Sequence, residues 1–192
     1  MTPKPLILGS ASERRRSILR GLGVLFEVLV PETPEVLEGA PADIASRNAA
    51  AKNEWCARHR PEHYILTADT VVCLDGRSYG KPADAAEAEQ FLRMLSGRTH
   101  SVLTAVVLAP PRVSRRPPRS HIVESSVTFR HLDDPLIRRY VSEVMPLDRA
   151  GAYDINEKGD MIIERYTGSY TNIMGLPAET VLRWLKEEKL LP

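Results

Sequence analysis

Tyr64-Ile65-Leu66-Thr67-Ala68-Asp69-Thr70-Val71-Val72-Cys73-Leu74 is the stretch that decides the fold. Two apolar runs flank a single carboxylate. Tyr64 to Ala68 predicts a strand ending at Asp69, Val71 to Leu74 continue extended, and Asp75-Gly76 is a hairpin signal. An acid between two apolar runs is unusual, because burying an unpaired carboxylate is costly. Such an acid is expected at a strand end facing a cleft, with a metal or a base close by. An ordinary turn aspartate is the bland alternative.

Upstream, Leu6-Ile7-Leu8 reads as a short buried strand broken by Gly9-Ser10-Ala11. Ser12 can cap a helix with Ile18, Leu19 and Leu22 inward, ended by Gly23. Val24 to Val30 predicts a second strand, Pro31 to Pro41 a loop, and Asp43 to about Arg58 an alanine-rich helix. Downstream, Asp84-x-x-Glu87 is a capping box opening a helix that buries Ala88, Phe91, Leu92 and Leu95 and closes at Gly97. Strands are predicted at Ser101–Ala109 and His121–Phe129, joined by a basic, proline-rich connection. A helix at Asp134–Val144, a short strand at Met161–Ile163 and a last helix at Ala178–Lys189 complete the pattern. Strands alternating with helices, without internal repeat or long linker, predict an α/β fold in one domain over residues 1–192.

Composition narrows the function classes. The chain has 192 residues, 43% of them hydrophobic, and a formal charge of +1. That is enough for a full core, and it gives no sign of a surface-wide nucleic-acid groove or membrane-binding face. Cys56 and Cys73 read as two buried free thiols, which fits a reducing compartment. Leu6-Ile7-Leu8 is too short for a secretory core and no run is long enough to span a membrane, so the expected location is the cytoplasm.

Four clusters carry possible chemistry. Gly9-Ser10-Ala11-Ser12-Glu13-Arg14-Arg15 lies where a strand hands over to a helix, and the free N–H groups and fork-shaped guanidiniums there suit a phosphate. The same residues would also serve as a solvated helix start. The segment is not a P-loop, because the Gly-Lys-Ser/Thr ending is missing. The second cluster is Asp69 with its apolar flanks. The third is Tyr79-Gly80-Lys81-Pro82, where glycine permits close approach and Lys81 offers a point charge. The fourth is Arg149-Ala150-Gly151-Ala152-Tyr153 with Gly168-Ser169-Tyr170-Thr171-Asn172 and Gly175-Leu176-Pro177, small residues and turns that can wrap a base and sugar or merely connect elements. Taken singly, Glu35 and Lys52 read as solvated surface residues.

In their order along the chain these pieces resemble one family. Ser10-x-Ser12-x-Arg14-Arg15, Ala68-Asp69-Thr70-Val71-Val72, Gly80-Lys81-Pro82, Leu95-Ser96-Gly97-x-x-His100-x-Val102-x-Thr104, Ala150-Gly151-Ala152-Tyr153, and Gly168-Ser169-Tyr170 through Gly175-Leu176-Pro177 look like the Maf nucleoside triphosphate pyrophosphatases. The resemblance covers nearly the whole chain. It implies a mixed central sheet with flanking helices and two lobes around a substrate cleft, related to inosine triphosphate pyrophosphatases. It also implies a divalent metal, Mg²⁺ or Mn²⁺, and often a homodimer. Asp69 matches the catalytic acid. Ser10, Arg14, Arg15, Lys52 and Lys81 match substrate-binding positions, and Glu35 matches an acid that shares the metal with Asp69.

Arg14 and Thr70 also match the specificity positions of the subgroup acting on dTTP and UTP. Three residues depart from the pattern. Glu13 stands where proline is common, Pro34 where an acid usually precedes Glu35, and Asn156 where the subgroup carries glutamine. The expected reaction is hydrolysis of a nucleoside triphosphate to the monophosphate and pyrophosphate. The alternatives are a nucleotide-binding regulatory protein linked to cell division, with weak catalysis, and a house-cleaning enzyme for modified or non-pyrimidine nucleotides.

Overall fold

The computed structural model describes residues 5–191. One mixed sheet holds strands β1 (Leu6–Leu8), β2 (Phe26–Val28), β3 (Ile65–Leu74), β4 (Arg77–Tyr79), β5 (Thr99–Ala109), β6 (Arg119–Phe129) and β7 (Ile163–Thr167). Its order is β2-β1-β3-β5-β6-β7, with β4 also paired to β3. β1 runs parallel to β2 and β3, and the remaining pairs are antiparallel.

The edge of β3 positions the site. β5 backs one edge from Ile65 to Cys73. The other edge is divided: β1 pairs with Ile65 and Leu66, and β4 pairs with Val72 to Leu74. Between them no strand among the described residues lies against residues 67–71, and a cleft opens there. Side chains alternate along a strand, so Asp69 and Thr70 leave this open stretch on opposite faces of the sheet.

Helices α1 (Glu13–Gly21), α2 (Pro41–His59), α3 (Ala85–Leu95), α4 (Asp134–Val144), α5 (Gly159–Ile162), α6 (Tyr170–Ile173) and α7 (Ala178–Glu187) flank the sheet. α2 covers the Asp69 face. Ile44, Ala45 and Ala49 pack on Val71, Ala105 and Val107, and Cys56 and Ala57 on Ile7, Ile65 and Ala109. Its alanines let the helix lie close to the sheet. The opposite face carries two apolar groups. Val72 and Val102 join the group beneath α3 and α4, and Ala68 and Val106 the group beneath α1 and α7. Thr70 and Thr104, the positions between, form a polar row.

Several expected boundaries are corrected. Asp69 does not end a strand; it sits in the middle of ten-residue β3, because β5 pairs through it to Ala105. The second strand is Phe26–Val28 and not Val24–Val30, and the long helix begins at Pro41, whose fixed φ suits the first helical turn. The expected strand at Met161–Ile163 is replaced by the short helix α5, after which β7 runs from Ile163 to Thr167. The last helix ends at Glu187. In the capping box Glu87 N donates to Asp84 Oδ1 at 2.9 Å, but the Glu87 carboxylate accepts from Ala83 N and not from Asp84 N. Both cysteines are free, although Cys73 is only half-buried. The Asp75-Gly76 hairpin stands as read, with positive φ at both residues (51° and 76°).

Candidate active site

The cleft has a volume of about 570 Å³, and its lining comes from every cluster singled out in the sequence. Just after β1 come Gly9 and Ser10, followed by the first turn of α1 with Arg14 and Arg15. Gly9 has no room for a side chain: a Cβ there would lie 2.6 Å from Thr67 Cγ2 and 2.8 Å from Cys56 Sγ. Just after β4 come Gly80 and Lys81, and from the segment after α4 come Asp148, Arg149, Tyr153 and Asp154. Gly151 locks that segment to the sheet. Its N–H donates to Gly80 O at 3.0 Å, its φ is +69°, and a Cβ would meet Val72 at 2.9 Å.

On the α2 face, Asp69 is buried and tightly partnered. Lys52 Nζ donates to Asp69 Oδ1 at 2.6 Å and to Glu35 Oε1 at 2.8 Å, and Asn48 Nδ2 donates to Asp69 Oδ2 at 3.3 Å. Asn48 and Lys52 are four residues apart and therefore share one helix face. Asn48 also holds the loop that bears Glu35, through both backbone groups of Val36 (2.8 and 3.0 Å). Burial works to raise the Glu35 pKa. The Lys52 hydrogen bond, with the charges of Lys52, Lys81 and Arg15, outweighs it and holds the carboxyl below its ordinary value.

On the other face Arg15 is enclosed in a polar network. Its Nε donates to Gly175 O at 2.8 Å, Nη1 to Ser10 Oγ at 3.2 Å and Nη2 to Thr70 Oγ1 at 3.2 Å. Thr70 bonds Thr104 at 3.0 Å, and Thr104 donates to Asn172 O at 3.1 Å. Desolvation lowers the Arg15 pKa, countered by the Asp69 charge. Nearby, His100 is buried with Nε2 2.9 Å from the hydroxyl of Tyr153, a cleft residue, and burial pushes the imidazole down to about 4.

The structure thus brings Ser10, Arg14, Arg15, Glu35, Lys52, Asp69, Thr70 and Lys81 to one cleft. Asn156 stands apart: it is exposed, lies outside the cleft lining, and accepts a hydrogen bond from Tyr170 OH at 3.3 Å. Gly168 and Ser169 are also away from the lining and pack on Ser125, whereas Gly175 reaches the cleft. Sequence reading missed Asn48, whose signal was its i,i+4 spacing to Lys52. It also missed Asp154, a buried acid beside Arg14 and Arg149 for which the sequence carries no local signal.

The donor set accommodates a divalent cation only with help. Among the described residues no group of three or more His, Cys, Asp or Glu could hold a metal. Asp69 and Glu35, however, already share one cationic group in Lys52. Two carboxylates completed by phosphate oxygens and water are the usual surroundings of Mg²⁺ in nucleotide sites, so the residues fit a metal that arrives with a polyphosphate.

The sequence model of the Maf family, described as Maf-like protein, matches residues 5–188. A dTTP/UTP pyrophosphatase of Akkermansia muciniphila is 41% identical over 183 residues, 94% of this chain and 95% of its own. A protein of the same name from Syntrophus aciditrophicus is 40% identical over 189 residues, 97% of this chain and 91% of its own. Among solved structures, the Staphylococcus aureus Ham1 protein aligns with a TM-score of 0.53 at 14% identity, covering 96% of this chain and all (100%) of that one. A HAM1 protein from Coxiella burnetii aligns with a TM-score of 0.53 at 16% identity, covering 95% and 98%. At such identities the likeness bears on the fold: a mixed sheet flanked by helices.

Proposed function

The chain belongs to the Maf family, and from that premise we propose that it hydrolyses dTTP and UTP to the nucleoside monophosphate and pyrophosphate. The observation that carries this reading is Asp69, a buried carboxylate at the open edge of β3, held by an ammonium and facing a cleft that several cationic side chains line. The names of the curated relatives support the choice of nucleotide.

Water attacks the α-phosphorus of a triphosphate slowly, because anionic oxygens repel the nucleophile. The chain's answer is positive charge on the phosphates and an oriented water. Lys81 is exposed at the cleft and has no ion pair among the described residues, so it is available to the phosphates. Arg15, fixed by its three acceptors, contributes charge without moving. Asp69 orients the attacking water and accepts its proton, with Lys52 and Asn48 fixing the carboxylate's direction. A Mg²⁺ or Mn²⁺ ion held by Asp69 and Glu35 would supply further charge neutralisation and a more acidic water. For the base, Arg14 and Thr70 line the cleft but Asn156 does not, so discrimination against other bases is looser than a glutamine there would give.

The test is product analysis over a panel of triphosphates with and without chelator. Monophosphate and pyrophosphate are expected one to one, fastest from dTTP and UTP and abolished by chelator. Orthophosphate with a diphosphate product would overturn the bond assignment. Tight binding without turnover would favour the regulatory alternative.

A further inference from the structure

We infer that Asp154 is a positioning residue whose buried carboxylate holds the Arg14 guanidinium inside the cleft, in place to meet the nucleotide. The inference rests on the nucleotide reading above. Asp154 is only 5% exposed, yet it lies at the cleft wall. Its Oδ2 stands 3.4 Å from Arg14 Nη1 and 3.2 Å from Arg149 Nε, and its Oδ1 accepts the Asn156 N–H at 2.8 Å. The backbone beneath it is pinned on both sides by the fully buried Tyr140 hydroxyl, which accepts from Asp154 N at 3.0 Å and donates to Asp154 O at 3.4 Å. A carboxylate so fixed is an anchor rather than a mobile partner.

Arg14 has a second choice. Asp148 lies 3.6 Å from the same Nη1, but its side chain is 72% exposed against 4% for Asp154. Solvent and salt screen a surface charge far more than a buried one, so Asp154 decides where the guanidinium rests. Without that charge, Arg14 follows Asp148 outward. Charge counting alone gives the opposite sign: removing a carboxylate from a cleft for a polyanion should tighten binding.

Asp154→Asn keeps the shape and the acceptor for the Asn156 N–H while removing the charge. Expected is a KM for UTP raised about tenfold with kcat within about threefold, the signature of lost substrate binding. The effect should vanish in an Arg14→Ala background, because the two changes then act on one interaction. An unchanged or lowered KM, or an undiminished effect in that background, would overturn the inference. Asp154→Glu should return KM to within about threefold of the parent if charge is the operative property; a Glu variant as weak as the Asn variant would point to shape and sink the idea. Independently of turnover, and of whether any variant folds, ¹⁵N NMR of the nucleotide-free parent should show hindered rotation of the Arg14 guanidinium. Fast rotation there would overturn the inference. A parent that cleaves neither UTP nor dTTP would overturn the function while leaving the NMR result to decide the role of Asp154.

Discussion

Asp69 and Thr70 are adjacent on β3, yet one faces α2 and the other faces α1, and their surroundings differ in kind. On the Asp69 side a single ammonium is shared between two carboxylates, and Glu35 keeps its side chain 38% exposed to the cleft. Those groups retain capacity to bind something else. On the Thr70 side three donors of Arg15 meet three acceptors, and the row continues through Thr104 to Asn172. The Arg15 donors and the threonine hydroxyls are satisfied within the protein. The strand's two-residue period therefore separates, at a single point in the sheet, the face that holds the reacting carboxylate from a face whose cleft-lining groups are held in fixed positions. The neighbouring arginines of α1 differ as well: Arg15 is tied to three acceptors, while the Arg14 guanidinium, among the described residues, meets only the carboxylates of Asp148 and Asp154.

The comparison breaks most sharply at Asp69. Asp69→Asn is nearly isosteric but cannot accept the proton, and turnover should fall on the order of a hundredfold or more with thermal stability preserved. A variant within a few-fold of the parent rate would remove Asp69 from the chemistry. The converse change is Arg15→Ala, which strands buried acceptors and should cost about 3 kcal/mol of stability, lowering Tm by roughly 6–12 °C. Calorimetry with Tm unmoved would show that the Thr70 side is not structural after all.

Next in size is a pH effect on the same structural side. His100 stays neutral down to about pH 4 because it is desolvated. A free imidazole in the unfolded chain titrates near 6.5, so the unfolded state takes up more protons between these values and stability falls as pH drops through that window. The loss from pH 7 to pH 5 should be about 2 kcal/mol. His100→Gln keeps a partner for the Tyr153 hydroxyl without titrating, and should flatten the slope of urea midpoint against pH; an unchanged slope would place the acid sensitivity elsewhere. The smallest effect is expected at Asn156→Gln. Because the side chain is exposed and outside the cleft lining, the UTP-over-CTP preference in kcat/KM should sharpen by about threefold or less. A change above tenfold would mean that the segment reorganises to reach the base.

Much of this was legible in the chain. Apolar runs, caps and turn residues placed the five longer helices and most strands but not α5 or α6, and the motifs that resemble the Maf family all contribute to one cleft. What failed, failed for non-local reasons. Asp69 reads as a strand end because a carboxylate interrupts the apolar pattern, but β5, some thirty-five residues away in register, carries the strand through it. Met161 to Ile163 reads as a strand because three apolar residues adjoin. The chain instead takes a left-handed residue at Lys158 and turns once before β7 begins, and Ile162 O then accepts from Arg130 N at 2.8 Å. Asp154 had no signal at all, since only the arrival of Arg14 and the pinning by Tyr140 distinguish it from other acids.

The continuity of β3 and β5 has a mechanical consequence. Ten- and eleven-residue strands run beneath both apolar groups and are paired along nearly their whole length. Both apolar groups that back the cleft are thus mounted on one continuous two-strand plate. A change in the cleft's width that twists that plate strains both packed groups together, and the Asp154 segment is tied to it through Gly151 and Tyr140, which leaves the segment that carries Glu35 as the part free to adjust.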